Sequence, residues 1–186
     1  MTALRTPGTA TTARAEQDIK NTWDNVNHNG FRAKVNGIFE IIPQESVRQN
    51  YAKANAARDN EMGYAYHGTN YGAARSISAT GFIVTKNAKH GRMLGDGVYL
   101  ARQSSKSVQY ASPSYGRGYA SGVLMVVKAA RGKEVKWDQT NSYSYGLDTL
   151  FAPKGRSTGL YNDEWVVRDP QAVLPTLWID VTRDYK

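Results

Sequence analysis

The sequence predicts one α+β domain in which many short strands are interrupted by a few helices. Short runs rich in β-branched and aromatic residues recur along the chain, at residues 62–67, 98–100, 123–129, 164–167 and 173–181. Few segments between them have the spacing of apolar residues that is typical of an amphipathic helix. Because strands and helices do not alternate regularly, a doubly wound parallel sheet is not expected.

The length of the chain fits a single folding unit. A chain of 186 residues can bury a sizeable core without disulfides. Residues 1–14 are rich in Thr and Ala and are predicted to form a disordered arm, so that the domain spans residues 15–186. The arginines of this arm and its lack of acidic residues are also compatible with a transit peptide.

Composition limits the classes of function. The absence of cysteine excludes disulfides and thiolate zinc sites and fits a reducing, intracellular compartment, either cytoplasmic or nuclear. No segment has the features of a signal peptide or of a membrane span, so no membrane association is expected. The net charge of +8 favours anionic partners such as nucleic acid, although the scattered cations equally suit a solvated basic surface.

Three helices and a further strand are predicted in the N-terminal half of the chain. Residues 31–42 alternate loosely between apolar and polar and predict a strand. Helices are predicted over residues 14–26, 45–58 and 72–80, the last closed by Gly81 as a C-cap.

Four further segments have weaker patterns. Residues 82–84 predict a short strand, and residues 112–122 predict a loop because they contain proline and several glycines. Residues 132–145 are polar and rich in turn formers, and residues 149–160 are expected to be irregular. No internal repeat is found.

A glycine-rich stretch near the centre is the part around which the chain is organised. Gly91, Gly95 and Gly97 allow tight bends and close approach of the backbone to a ligand. A strand at residues 98–100 follows, and then a helix over residues 103–111, for which a serine can provide the N-cap. Two tyrosines and a serine hydroxyl on these elements can therefore converge on one pocket.

Three motifs in order resemble those of a known family. The stretch GRMLGDGVYLARQSSKSVQYA is similar to the signature of the poly(ADP-ribose) polymerase family, in which a G-x-G-[IV]-Y-[FL]-A strand precedes an S-S-K-S helix and a second tyrosine. Residues 66–69, YHGT, are similar to the family's H-G-[ST], and residues 162–167, NDEWVV, to its N-E-[YW]-x-[IV] strand. The chain is therefore identified as a member over residues 35–181.

The resemblance implies a particular fold and reaction. The fold would be a split β-sandwich of two small, mostly antiparallel sheets with peripheral helices and with NAD in the cleft between them. NAD would be the donor substrate, and ADP-ribose would pass to a macromolecular acceptor, a protein in the first place. Because the chain is basic, nucleic acid is an alternative acceptor or partner. A monomer is expected.

The resemblance implies that Glu164 is the catalytic glutamate. Positive charge develops on the ribose as the bond to nicotinamide breaks, and a carboxylate stabilises that charge. Glu164 would bind the ribose 2′-hydroxyl and polarise the acceptor. Without the resemblance, a solvent-facing glutamate at a strand edge would be the simpler interpretation.

Five further residues are implied as NAD ligands. His67, the histidine of the catalytic set, would donate a hydrogen bond to a ribose hydroxyl on the adenosine side. Tyr99, the third catalytic residue, and Tyr110 would sandwich the nicotinamide ring. Ser107 and the backbone of Gly68 would bind its carboxamide. In a chain with 12 tyrosines, core packing is the alternative for either ring.

The H-G-T motif and the following loop complete the implied site. Thr69 closes the motif, and Arg92, with Lys89 and His90, lies in the loop that would contact the pyrophosphate. A solvated basic loop is an equal alternative for these cations. With no cysteine and only 3 histidines, no metal is expected.

Some residues differ from the family pattern, and other functions stay open. Leu94 and Leu100 stand where aromatic residues are frequent, and Asp96 places a negative charge inside the glycine run. The alternatives are a module that binds NAD or ADP-ribose without turnover, a basic nucleic-acid-binding protein, and an NAD-dependent RNA 2′-phosphotransferase. The glutamate-bearing motif fits the last of these less well.

Overall fold

The computed structural model describes residues 3–23, 31–84, 93–111, 120–138 and 146–185. Strands and helices follow one another in an irregular order along these ranges. No helix in them is both long and apolar enough to cross a membrane. The elements are β1 (Ala3–Arg5), α1 (Thr9–Asn21), β2 (Phe31–Ile42), α2 (Glu45–Ala56), β3 (Glu61–Thr69), α3 (Tyr71–Thr80), β4 (Val98–Ala101), α4 (Ser104–Val108), β5 (Ala120–Ala130), β6 (Glu134–Lys136), β7 (Thr149–Ala152), β8 (Glu164–Val167), a 3₁₀ turn (Pro170–Ala172) and β9 (Val173–Tyr185).

All nine strands of the described ranges belong to one hydrogen-bonded sheet. Its order is β1-β2-β9-β5-β3-β4-β8-β7-β6. Every neighbouring pair is antiparallel except β6 and β7, which are parallel. The mixed α+β class and the predominance of antiparallel pairing agree with the prediction.

The sheet has two halves that meet at a weak joint. Five strands, from β1 to β3 in the sheet order, form the first half, and β4, β8, β7 and β6 form the second. A single register pair, Tyr66 with Ala101, connects β3 to β4, whereas all four residues of β4 pair with β8. The two separate sheets that the resemblance implied are therefore joined here into one ladder, because β4 pairs on both of its edges.

Helices cover both faces of the central strands. Successive residues of β5 enter different core clusters, since side chains alternate across a strand. On one face α2 and α3 contribute Tyr51 and Ala74 to the core, and on the other face α1 and α4 contribute Ile19 and Val108. The second half of the sheet has a smaller core around Leu150.

The N-terminal segment differs from its prediction. Residues 1–14 were expected to form a disordered arm, but β1 pairs with β2 and α1 begins at Thr9. The helix predicted over residues 14–26 ends at Asn21. Packing explains the early start, because α1 inserts Ala15 and Ile19 into the core. The strand at Phe31–Ile42 has its predicted bounds.

Besides β1, two further short strands were not predicted, and one predicted strand is absent from the described residues. Residues 82–84 have no regular structure, so that prediction was wrong. β6 and β7 lie in segments expected to be turn-rich or irregular. These strands form because β7 pairs with β8 and β6 pairs with β7, and local propensity does not indicate such tertiary contacts. The central helix is shorter than expected, and β5 begins within the segment predicted as a loop.

Candidate active site

Most of the predicted site residues lie on four elements around the joint between the two halves of the sheet. β3 carries His67, Gly68 and Thr69, and β4 carries Tyr99. β8 begins with Glu164, and Ser107 lies on α4, which packs against β3 and β4. The sheet order β3-β4-β8 places the strands that carry the histidine, the tyrosine and the glutamate side by side.

Glu164 is buried and paired with a cation. Its Cα partners are Ala101 on β4 and Ala152 on β7, so small side chains flank it on both neighbouring strands. The residue is 8% exposed. The Lys106 ammonium lies 2.9 Å from Oε1 of Glu164. The structure therefore does not match the alternative of a solvent-facing glutamate at a strand edge.

Lys106 links the glutamate to Tyr110. Its ammonium lies 5.3 Å from the centroid of the Tyr110 ring, within the range of a cation–π contact. Burial alone would lower the pKa of Lys106, but the charge of Glu164 and the contact with Tyr110 raise it above its ordinary value. Lys106 is thus a charged anchor for the carboxylate. The sequence showed it only as part of the S-S-K-S helix and gave no sign of this role.

His67 is oriented by the backbone of β4. The carbonyl oxygen of Tyr99 accepts a hydrogen bond of 3.0 Å from Nδ1 of His67, and the Phe82 ring packs edge-on at 5.1 Å between centroids. A neutral imidazole that donates from Nδ1 has its lone pair on Nε2. His67 would therefore accept a hydrogen bond from a ribose hydroxyl, whereas the sequence led us to expect that it donates one.

The burial of His67 makes stability depend on pH. Desolvation lowers its pKa below the ordinary value of 6.5, and the bond to Tyr99 only partly offsets this. A base with a lowered pKa binds fewer protons in the folded state than in the unfolded state. Stability from this group is therefore complete above pH 6.5 and is lost as the pH falls through the folded-state pKa.

We expect the parent protein to lose unfolding free energy from this group as the pH falls from about 8 to about 5. The variant His67→Gln has no such titration and should show a smaller loss over the same range. Urea unfolding of both proteins at the two pH values measures the difference. Equal losses in parent and variant would mean that other groups cause the pH dependence.

Tyr99 ties β4 to the glycine-rich turn that precedes it. Its hydroxyl donates to the carbonyl oxygen of Gly95 at 2.8 Å and accepts from the amide of Leu94 at 3.1 Å. Gly97 has a φ of 154°, and a Cβ there would lie 2.5 Å from a methyl carbon of Val166. Glycine is thus required at this turn. The Tyr99 ring is only partly buried, against the core of the second half.

Gly68 and Ser107 mark a close contact between β3 and α4. The Ser107 hydroxyl donates a 3.0 Å hydrogen bond to the carbonyl oxygen of Tyr66. A Cβ on Gly68 would lie 1.6 Å from the carbonyl oxygen of Ser107, so only glycine lets the helix sit this close to the strand. With its hydrogen already used, the Ser107 hydroxyl is left as an acceptor for an amide N–H.

The remaining predicted residues have different outcomes. Thr69 is buried at the end of β3, opposite Val123 of β5. Tyr110 is 40% exposed, so its ring is accessible beside Lys106. Arg92, with Lys89 and His90, lies outside the described residues.

Comparison with known proteins identifies the family of the chain. A family model described as the poly(ADP-ribose) polymerase catalytic domain matches residues 10–146. The chain belongs to this family, which confirms the predicted class of enzyme, an NAD-dependent ADP-ribosyltransferase. A Caenorhabditis elegans protein named poly [ADP-ribose] polymerase tankyrase is 32% identical over 144 residues.

The matches cover only part of the chain, and the family match leaves out the strand that carries Glu164. The similar segment covers 76% of this chain but only 6% of the Caenorhabditis elegans protein. The family match ends at residue 146, before β8 begins. The role of Glu164 therefore depends on its own motif and on its geometry beside Lys106.

Proposed function

We propose that the chain transfers ADP-ribose from NAD to a protein acceptor, with NAD in a cleft between the two halves of the sheet. One observation carries the proposal. Glu164 lies on β8, the strand next to the one that carries Tyr99, and its buried carboxylate is held by Lys106. A carboxylate held in place before the reaction costs no reorganisation when positive charge develops nearby.

The described side chains suit the parts of NAD that they would contact. Ser107, as an acceptor, and the backbone of Gly68 would bind the two ends of the nicotinamide carboxamide. The accessible Tyr110 ring would stack on the nicotinamide, as Tyr99 would on its other face, and Nε2 of His67 would accept from a ribose hydroxyl. Thr69, beside them at the end of β3, completes this wall, and we assign Arg92 to the pyrophosphate on its sequence motif alone.

The proposed reaction exchanges one bond to the ribose for another. The C1′–N bond to nicotinamide breaks, and its electron pair leaves with nicotinamide. A nucleophilic group of the acceptor forms a new bond to C1′ and loses its proton. We assign the oxygen of Glu164 that Lys106 does not hold, Oε2, to the 2′-hydroxyl, where its charge stabilises the cationic ribose. No metal takes part in this scheme.

Incubation with NAD carrying a label on the adenylate tests the proposal. Label should appear on protein and nicotinamide should be released in equal amount. Label on nucleic acid instead would indicate the second kind of acceptor. Release of nicotinamide without labelled macromolecule would indicate a glycohydrolase. Binding of NAD without either product would indicate a non-catalytic module.

The stacking role of Tyr110 predicts a change in NAD affinity. Replacing Tyr110 by alanine should cost about 1–3 kcal/mol of binding free energy, or roughly 5- to 150-fold in Kd, as loss of an aromatic stacking platform does in general. Tyr110→Phe is the matched control, because it keeps the ring, and it should bind NAD within about threefold of the parent. Calorimetry measures both. Equal affinities for the alanine variant and the parent would remove Tyr110 from the site.

A further inference from the structure

A second cleft lies on the same face of the sheet as α4, between α1 and the first residues of β3. It has a volume of about 850 Å³. One wall is a stripe of α1 that includes Arg14, Ala15 and Asp18, which the helical repeat brings to one side. The floor contains apolar side chains of the sheet, Val126 and Leu177 among them. Of the predicted site residues that the structure describes, none lines this cleft.

The opposite wall of the cleft includes a stretch of strand edge. In the described part of the chain β4 pairs with β3 only at Tyr66, so Met62, Gly63 and Tyr64 have no strand partner on that side. The pairing of β3 with β5 also shifts register between Met62 and Ala65. Backbone groups on such an edge are available to an extended segment of another chain.

The cleft has an excess of positive charge. Arg14 lies 3.7 Å from Asp18 on the same helix, and Glu61 accepts a hydrogen bond from Tyr51. The other two cations that line the cleft, Arg102 and Lys128, make no ion pair with any carboxylate in the described ranges. With Glu61 counted, the lining has a net charge of +1, and the two cations without an ion pair are placed to meet an anionic partner.

The cleft lies beside the strands of the candidate active site. Arg102 directly follows Ala101, which is the register partner of Glu164. The Arg102 guanidinium also lies 5.8 Å from the ring centroid of Trp165, the residue after Glu164. Neighbouring strands lie about 4.8 Å apart. A segment bound in the cleft therefore passes within a few residues of the reacting centre.

We propose that this cleft binds an extended, acidic segment of the protein acceptor, an inference that rests on the proposed transfer of ADP-ribose. Acidic side chains would meet Arg102 and Lys128, apolar ones the floor, and the backbone the free edge of β3. The lining favours a peptide over nucleic acid, because the floor is apolar and a strand edge pairs with a peptide backbone, which nucleic acid lacks.

Fluorescence anisotropy with a labelled peptide of alternating glutamate and valine tests the proposal on the full chain. The peptide should bind the parent protein, and the same peptide with glutamine for glutamate should bind at least about tenfold more weakly. Lys128→Glu, at an exposed position on β5, and the double variant with Arg102→Glu should each weaken binding by about tenfold or more, because reversed charges repel the peptide. Lys53→Glu, an exposed lysine of α2 across the sheet, should change the Kd less than about twofold.

Nicotinamide release without peptide separates this proposal from the proposed function. The cleft variants should release nicotinamide at the parental rate while they lose the peptide. Equal peptide affinity of the Lys128→Glu variant and the parent would overturn the docking proposal. It would also be overturned if a single-stranded oligothymidylate bound and the peptide did not. If nicotinamide release is absent from every protein, the transfer proposal fails instead, whatever the peptide does.

Discussion

Replacing Glu164 by glutamine is expected to lower the rate of ADP-ribose transfer by about 10²–10³-fold while NAD affinity stays within about threefold. Glutamine keeps the size and the hydrogen-bonding shape of the side chain but removes its charge. Ground-state NAD makes little use of that charge, whereas the cationic ribose of the transition state requires it. The loss should therefore appear in kcat rather than in binding.

The substitution should also change stability, because Glu164 pairs with Lys106. The glutamine variant leaves the Lys106 ammonium buried next to a neutral amide instead of a carboxylate. Some loss of stability should follow, because an unpaired buried charge is costly. Transfer must therefore be measured well below the unfolding temperature of the variant, which a thermal melt determines.

The neighbouring Asp163 provides a matched control. Its carboxylate accepts a 2.8 Å hydrogen bond from the amide of Lys154. Replacing it by asparagine removes one negative charge, as Glu164→Gln does, but one residue away. Asp163→Asn should transfer ADP-ribose within about threefold of the parent. For both variants, calorimetry measures the NAD affinity and a transfer assay measures the rate of ADP-ribose transfer. Transfer by Glu164→Gln at the parental rate would make Glu164 a structural residue and remove the proposed catalytic set.

Local signals in the sequence were sufficient for the class of fold and for several elements. Residues 31–42 and 164–167 form strands with the predicted bounds, the first predicted from its apolar–polar alternation and the second from its β-branched and aromatic residues. The H-G-T motif, the glycine-rich turn and the serine-rich helix were found as short motifs whose side-chain requirements are strict. Gly68 and Gly97 illustrate this strictness, since a Cβ at either position would collide with a neighbouring element.

What the sequence did not predict depends on contacts between distant residues. The pairing of Lys106 with Glu164 joins α4 to β8, and neither residue type nor spacing indicates such a contact. The proton on Nδ1 of His67 is fixed by a carbonyl on another strand, a contact that the neighbouring residues in the sequence do not indicate. β6 and β7 are short and form only because β8 extends the sheet to them.

The contact between Gly68 and α4 leads to the second large expected effect. Gly68→Ala should destabilise the protein by about 3 kcal/mol or more, because overpacking against rigid backbone cannot be relieved by a side-chain movement. The added Cβ would lie 1.6 Å from the Ser107 carbonyl oxygen and 2.6 Å from its carbon. Either the helix or the strand must move, and the Ser107 hydroxyl would then leave the Tyr66 carbonyl.

Gly63 on the same strand is the matched control, because a Cβ there would meet nothing within 4 Å. Gly63→Ala should leave stability within about 1 kcal/mol of the parent, since alanine only restricts the unfolded chain further. Urea unfolding of both variants gives the difference in free energy. A shift of α4 also displaces Lys106 from Glu164, so Gly68→Ala should lose transfer activity even where it remains folded. Equal stability and activity of the two alanine variants would mean that α4 does not lie against Gly68 in solution, and the site built on that contact would be wrong.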